Sequence, residues 1–223
     1  MKHNVLFYRG SGKVGNLVGY SMLGKQVFRA YQPEVSNPKT TAQENQRKKF
    51  NIMLDASRMF RWAYRLGLVD EGRSRKRTAF AQFMSVNFPF IMGSTPQTYV
   101  LDWTRVICSM GSLPGLMLDG DHIDQTSVPG EVSVDIQENG MSYPGARGDD
   151  EFTLVAVCPD TGDGNIGSFE PRNQMTALKT KIQRNWDGHD VYLYAFGVGR
   201  SGENYNVSSN TVYVGKFRAQ LEP

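Results

Sequence analysis

From residue 98 onward the chain repeats one pattern. Apolar runs of strand length, each five to ten residues, alternate with stretches rich in Gly, Asp and Asn. The runs are Tyr99–Cys108, Glu131–Gln137, Phe152–Cys158, Met175–Ile182, Val191–Val198 and Thr211–Phe217. Between them lie LDGDHID, ENGMSYPGARGDDE, PDTGDGNIG and RNWDGHD. Short strands punctuated by turn residues argue a β-sandwich, because such runs are too short for core helices and the Gly/Asp/Asn clusters supply turn chemistry. The last two runs, in VYLYAFGVGRSGENYNVSSNTVYVGKF, resemble the F–G hairpin of a fibronectin type III or immunoglobulin-like domain, although the Cys–Trp–Cys pattern of antibody domains is missing. That likeness is architectural and carries no function by itself.

The N-terminal part obeys a different rule. GSGKVGNLVGYSMLGKQ over residues 10–26 contains Gly10, Gly12 and Gly15 at dinucleotide-fingerprint spacing, and Gly19 to Lys25 falls one residue short of a phosphate-binding loop. Both motifs need a helix directly after the glycines, whose N-terminus holds the phosphate. The chain continues instead with the alternating run Gln26-Val27-Phe28-Arg29-Ala30-Tyr31, and Gln26 lacks the hydroxyl that would bind magnesium. Residues 4–32 therefore read as two or three glycine-rich strands.

Asn37-Pro38 marks a turn, and Thr41 with Glu44 forms a capping box opening a helix over 41–67. Phe50, Met53, Phe60 and Tyr64 share one face of that helix, extended by Ile52, Met59, Ala63 and Leu66. Arg47, Arg58, Arg61 and Arg65 form a stripe on the opposite edge. Asp70-Glu71-Gly72 ends the helical stretch, and the cluster Arg73, Arg75, Lys76 and Arg77 leads into a shorter helix in TAFAQFMSVNFPFI. The stripe fits a solvated face or a contact with phosphate or an acidic protein surface.

Charge separates the two parts. Residues 1–90 hold sixteen Lys/Arg against five Asp/Glu, a net +11, and residues 91–223 hold nine against seventeen, a net −8. The expected organisation is α+β: a basic region of glycine-rich β-hairpin and helices over 1–92, then an immunoglobulin or fibronectin III-like β-sandwich over 93–223.

Sites of chemistry are scarce. His3, His122 and His189 have no Cys or His at metal spacing, and no nucleophile elbow occurs. Asp119, Asp121 and Asp124, like Asp160 and Asp163, lack the closing Glu of a calcium loop and read as turn residues. Arg147-Gly148-Asp149 is read as a chance match to the integrin tripeptide. Cys108 and Cys158 are expected to be buried, reduced thiols. No secretory signal and no membrane span are expected, and no catalytic residue, metal or cofactor is assigned.

SGKVGNLVGYSMLGKQVFRA, NPKTTAQENQRKKF, TAFAQFMSVNF, VICSMGSLPG and TVYVG together resemble a Bacteroidota family of unknown function that also occurs on phage and other mobile elements. The resemblance implies an ordered glycine-rich sheet and helical region followed by an immunoglobulin-like domain, and a structural role of the phage type. The expectation is a non-enzymatic homo-oligomeric assembly protein, a virion or phage-like particle component, found in the virion or host-cell cytoplasm. Its expected partners are other copies of itself and other assembly subunits, with no membrane. The contact set is Arg47, Arg58, Arg61, Arg65, Arg73, Arg75, Lys76 and Arg77. The alternative is a cytoplasmic nucleic-acid-binding protein using the same residues, and a third is an enzyme with an unrecognised site.

Overall fold

A computed structural model describes residues 11–22, 24–34, 39–125 and 130–220. Gly10, His3, the Asn37-Pro38 turn and the start of the 4–32 strand block lie outside the described residues, as does the side chain of Asp121. The chain divides into two compact units, Met1–Thr41 and Ala42–Pro223. The division falls at 41; the change of composition near residue 92 lies inside the second unit, where helices give way to strands.

The first unit contains an antiparallel meander of β1 (Gly12–Val14), β2 (Leu17–Met22) and β3 (Lys25–Ala30). Gly15 and Asn16 make the two-residue connection between β1 and β2, with Gly15 at φ 58°. Glycine at the first position of such a turn gives the backbone a twist that matches the strands. Of the glycines that mimic phosphate motifs, Gly12 and Gly19 are thus strand residues and Gly15 and Gly24 turn residues, with β2 and β3 following where the motifs need a helix.

The second unit opens within α1 (Thr41–Met59) and continues with α2 (Arg61–Gly67), α3 (Val69–Ser74) and α4 (Ala79–Asn87). The single helix expected over 41–67 is interrupted at Phe60, whose φ of −90° and ψ of 12° leave the helical well. Phe60 is fully buried there, its ring 5.7 Å from Phe83 and 5.0 Å from Tyr194. The helix begins at Thr41, so Thr40 and Gln43 occupy the box positions, one residue before the predicted Thr41 and Glu44. Asp70-Glu71-Gly72 does not end the helical stretch; it lies inside α3. Thr78 caps α4 by accepting the Ala81 N–H at 3.1 Å.

After α4, β4 (Ile91–Met92) pairs with β5 (Val100–Leu101). The strand expected over Tyr99–Cys108 stops at Leu101. Asp102 accepts the Thr104 N–H and hydroxyl and bends the chain into a 3-10 turn. Beyond it, side chains replace a strand neighbour. Asn87 takes both the N–H and the carbonyl of Ile107, and the Thr211 hydroxyl accepts from Cys108 and Ser109 N–H.

The remaining strands are β6 (Met117–Asp124), β7 (Glu131–Glu138), β8 (Glu151–Cys158), β9 (Asp163–Ile166), β10 (Glu170–Pro171), β11 (Ala177–Lys181), β12 (Asp190–Val198) and β13 (Val212–Arg218). One sheet runs β10-β8-β12-β13, with β9 also on β8; the other runs β11-β7-β6. The four α-helices and antiparallel strands among the described residues fit the α+β class expected. β6 occupies LDGDHID, which reads as turn. Its pairing with β7 is irregular, and Gly120 lets the Val214 carbonyl of β13 approach to within 2.5 Å of where a Cβ would sit.

β8 and β12 are buried on both faces. Phe152, Leu154, Ala156, Val191, Leu193 and Ala195 share a core with Val132, Val134, Leu178 and Trp186 of the second sheet and its connections. The alternate residues Val155, Val157, Tyr194, Phe196 and Val198 share another with Met53, Ala56, Phe60, Leu68 and Phe83 of the helical segment. Two-sided burial is why FTLVAVC and YLYAFGV lack polar alternation. The helices, the five-stranded sheet and the three-stranded sheet are successive layers, with β8 and β12 central.

Among the described residues one ion pair is buried on both sides. Arg172 and Asp150 are both fully buried, Nε 3.6 Å from Oδ2. The guanidinium donates to the carbonyls of Pro114, Gly115 and Asn139 and stands 4.6 Å over the Phe152 ring. Asp150 in turn accepts from the Arg147 N–H and Asn204. Three loop carbonyls are thereby tied to the cation and two further loop positions to its carboxylate. Burial pulls the Arg172 pKa down and the Asp150 charge pulls it back up. Asp150→Ala is expected to lower stability by about 3–5 kcal/mol, since it strands a buried charge. Urea denaturation measures this, and a loss below about 1 kcal/mol would deny the pair its role.

Candidate functional site

α2 reads RWAYRLG, and the core fixes which way it faces. Ala63, Tyr64 and Gly67 turn inward. The Gly67 carbonyl accepts from the Met110 N–H at 3.0 Å, and the Leu66 carbonyl accepts from Ser208 at 3.3 Å. Arg61, Trp62, Arg65 and Leu66 must then point outward. Trp62 is 61% exposed and Leu66 43%. The guanidinium carbons of Arg61 and Arg65 each lie 5.8 Å from the Trp62 ring centroid, at the outer range of cation–π contact. A large aromatic surface is held open to solvent between two cations.

All eight predicted contact residues are exposed. The structure gathers Arg61 and Arg65 at Trp62. Arg58 on α1 is bound to Asp55 at 2.7 Å. Arg73 and Arg75 are held by Asp70 at 3.5 Å and Glu71 at 2.6 Å. Arg77 donates to Ser85 at 2.7 Å, and Lys76 sits in the turn after α3 at φ 55°. Exposed ion pairs of this kind are worth about 0–1 kcal/mol and open readily to a partner. Trp62 is absent from the set predicted by sequence; its exposure follows only from the inward turn of Ala63, Tyr64 and Gly67.

Two residues expected on the apolar face are not in the core. Leu66 is exposed beside Trp62, and Phe50 is 46% exposed. Phe50 lines an open groove of about 470 Å3 with Gln46, Arg77, Phe80, Met84 and Phe88. A second open groove, about 500 Å3, lies between Asp70 and Glu71 of α3 and the loops at Met110–Ser112 and Val207–Asn210. Its two acids are the ones bound to Arg73 and Arg75.

Elsewhere, polar groups pair locally. His122 bonds Asp119 at 2.8 Å and His189 bonds Asp160 at 3.1 Å. Among the described residues no three His, Cys, Asp or Glu side chains converge as a metal site. Arg147-Gly148-Asp149 lies in a turn where the Gly148 carbonyl accepts the Asn173 N–H. Both cysteines are free and buried. Among the described residues no helix is long and apolar enough to cross a membrane.

Over residues 9–215 the chain matches the family described as "Family of unknown function (DUF6266)", and it belongs to that family. No curated protein and no solved structure matches it.

Burial pushes the Cys108 thiol from its ordinary 9.0 up to about 12, against a weaker pull downward from its hydrogen bond with Thr211. This thiol stays protonated in the folded chain while it ionises in the unfolded one. Its contribution to stability is therefore full below pH 9.0 and is lost as pH rises toward about 12. Denaturation midpoints should fall across that window. Cys108→Ser should flatten the decline, and an unchanged slope would assign it to other groups.

Proposed function

We propose that the protein is a non-enzymatic structural or assembly protein whose basic helical face docks on an acidic protein surface, foremost that of another copy. The observation that carries this reading is Trp62, exposed between Arg61 and Arg65 on a helix whose inner face is locked into the core. Tryptophan and arginine are the residues most enriched at the energetic centres of interfaces. The complementary charge is in the same chain: residues 91–223 carry a net −8, with Asp135, Asp149, Asp160, Asp187 and Glu203 exposed. Complementary potentials on one chain suit head-to-tail contacts between copies. A virion or phage-like particle is the kind of assembly that the family resemblance implies.

We read the β-rich part as a fibronectin III-like sandwich. The orders β6-β7-β11 and β9-β8-β12-β13, sharing one core and ending in the β12–β13 hairpin, support this. The second functional reading is nucleic-acid binding, favoured by the same feature, since an aromatic ring flanked by arginines can stack a base.

Arg61→Glu/Arg65→Glu is expected to weaken self-assembly of nuclease-treated protein at low salt by about 30-fold or more, as loss of a central interface contact does. Sedimentation measures this, with Arg184→Glu, a cation on the acidic part, as control. An unchanged distribution overturns the docking reading. Retained assembly with lost DNA or RNA affinity favours the second.

A further inference from the structure

Two loops leave the central strands side by side, at the pair Val198↔Glu151. One, NGMSYPGARGDD over 139–150, leads into β8; the other, GRSGENYNVSSNT over 199–211, follows β12. Asn204 fastens the second to the first, donating to the Gly145 carbonyl at 2.6 Å and to Asp150 at 3.3 Å. A Cβ at Gly202 would stand 2.6 Å from the Arg147 guanidinium, so the loops touch there as well. The buried Arg172–Asp150 pair holds both from below. Met141, Tyr143 and Tyr205 are exposed on this platform, Tyr205 by 65%. Its charge is acidic. Arg172 offsets Asp150 inside, and Arg200 is bound to Glu151 at 2.7 Å. Glu138, Asp149 and Glu203 then stand against Arg147, with Asp149 and Glu203 exposed.

We infer that this loop platform is the surface on which α2 of a second copy docks, with Trp62 packed on Tyr205 and Arg61 and Arg65 reaching Asp149 and Glu203. The inference rests on the docking reading above and names its receiving side. Charge selects the occupant: two exposed acids and an exposed aromatic ring answer two arginines and a tryptophan. Spacing allows it. Arg61 and Arg65 are about 6 Å apart along the helix axis, and the acids sit on two loops already in contact. Rigidity favours it. The platform is ordered by a buried ion pair before any partner arrives, so little ordering cost remains for binding. Tyrosines set among Ser, Gly and Asn supply contact area at low entropic cost. Other acids of the second unit are already engaged: Asp70, Glu71, Glu131 and Asp190 each pair with a cation of their own chain. Because helix and loops are different patches of one chain, every copy offers both halves of the contact.

Sedimentation of the nuclease-treated full chain at low salt tests it. Asp149→Lys/Glu203→Lys is expected to weaken self-association by about 30-fold, and Tyr205→Ala by about 10-fold. Asp160→Lys/Asp187→Lys makes the same charge change at the opposite ends of β8 and β12, and leaves association unchanged. A mixing experiment guards against misfolding. Chains carrying Asp149→Lys/Glu203→Lys keep basic helices, and chains carrying Arg61→Glu/Arg65→Glu keep acidic loops. Each alone fails to associate, and the mixture forms complexes holding both. No loss with Asp149→Lys/Glu203→Lys, an equal loss with Asp160→Lys/Asp187→Lys, or no complex on mixing overturns the inference. If Arg61→Glu/Arg65→Glu still weakens association in those cases, the docking reading stands and only this receiving surface falls. If Arg61→Glu/Arg65→Glu has no effect, both fall.

Discussion

The pairing of β8 with β12 is the constraint on which the second unit rests. Seven registered pairs, from Tyr192↔Val157 to Val198↔Glu151, join two strands that are apolar on both faces. Such a ribbon cannot face water on either side. It requires the three-stranded sheet on one side and the helices on the other, and that is why the basic helical segment is built into the same unit as the β-rich part. Phe60 and Tyr194 in edge-to-face contact at 5.0 Å join helix to sheet directly. The Tyr194 hydroxyl then reaches the Trp103 carbonyl at 2.6 Å.

The sheet edges are stitched to each other. Gln125 bonds Arg218 and Gln220 where β6 adjoins β13, and Asn165 bonds the Lys181 carbonyl where β9 adjoins β11. Closed edges protect a sheet from pairing with foreign strands. The buried Arg172–Asp150 pair is committed to loop anchoring. The surface is differentiated: α2 presents Trp62 between Arg61 and Arg65.

Much of this was legible in the sequence. The glycine spacing of residues 10–26 followed by Gln26–Tyr31 reads as strands, and three strands are present. The runs at β7, β8, β11, β12 and β13 stand where the patterns put them, because two-sided or alternating burial leaves an apolar signature. Failures came where side chains overrode local pattern. Tyr99–Cys108 looks like a strand, but Asp102, Asn87 and Thr211 supply its backbone with other partners. LDGDHID looks like a turn, but Gly120 is there for close approach to β13. Helical periodicity placed Phe50 and Leu66 with the core, yet periodicity alone cannot say where a helix outruns the sheet it packs on. For the candidate site, the arginines were visible as a stripe. The exposure of Trp62 was not, since an aromatic residue reads as core until the buried Ala63 and Tyr64 fix the orientation of α2.

The central claim is that this chain acts through surfaces that join it to acidic partners and to itself. The most direct test is the solution mass of the nuclease-treated wild-type protein by light scattering as salt is raised. The account predicts species larger than one chain at low salt, resolving toward single chains as salt screens the arginine contacts. A single chain at every salt concentration, growing only when DNA or RNA is added back, would contradict it.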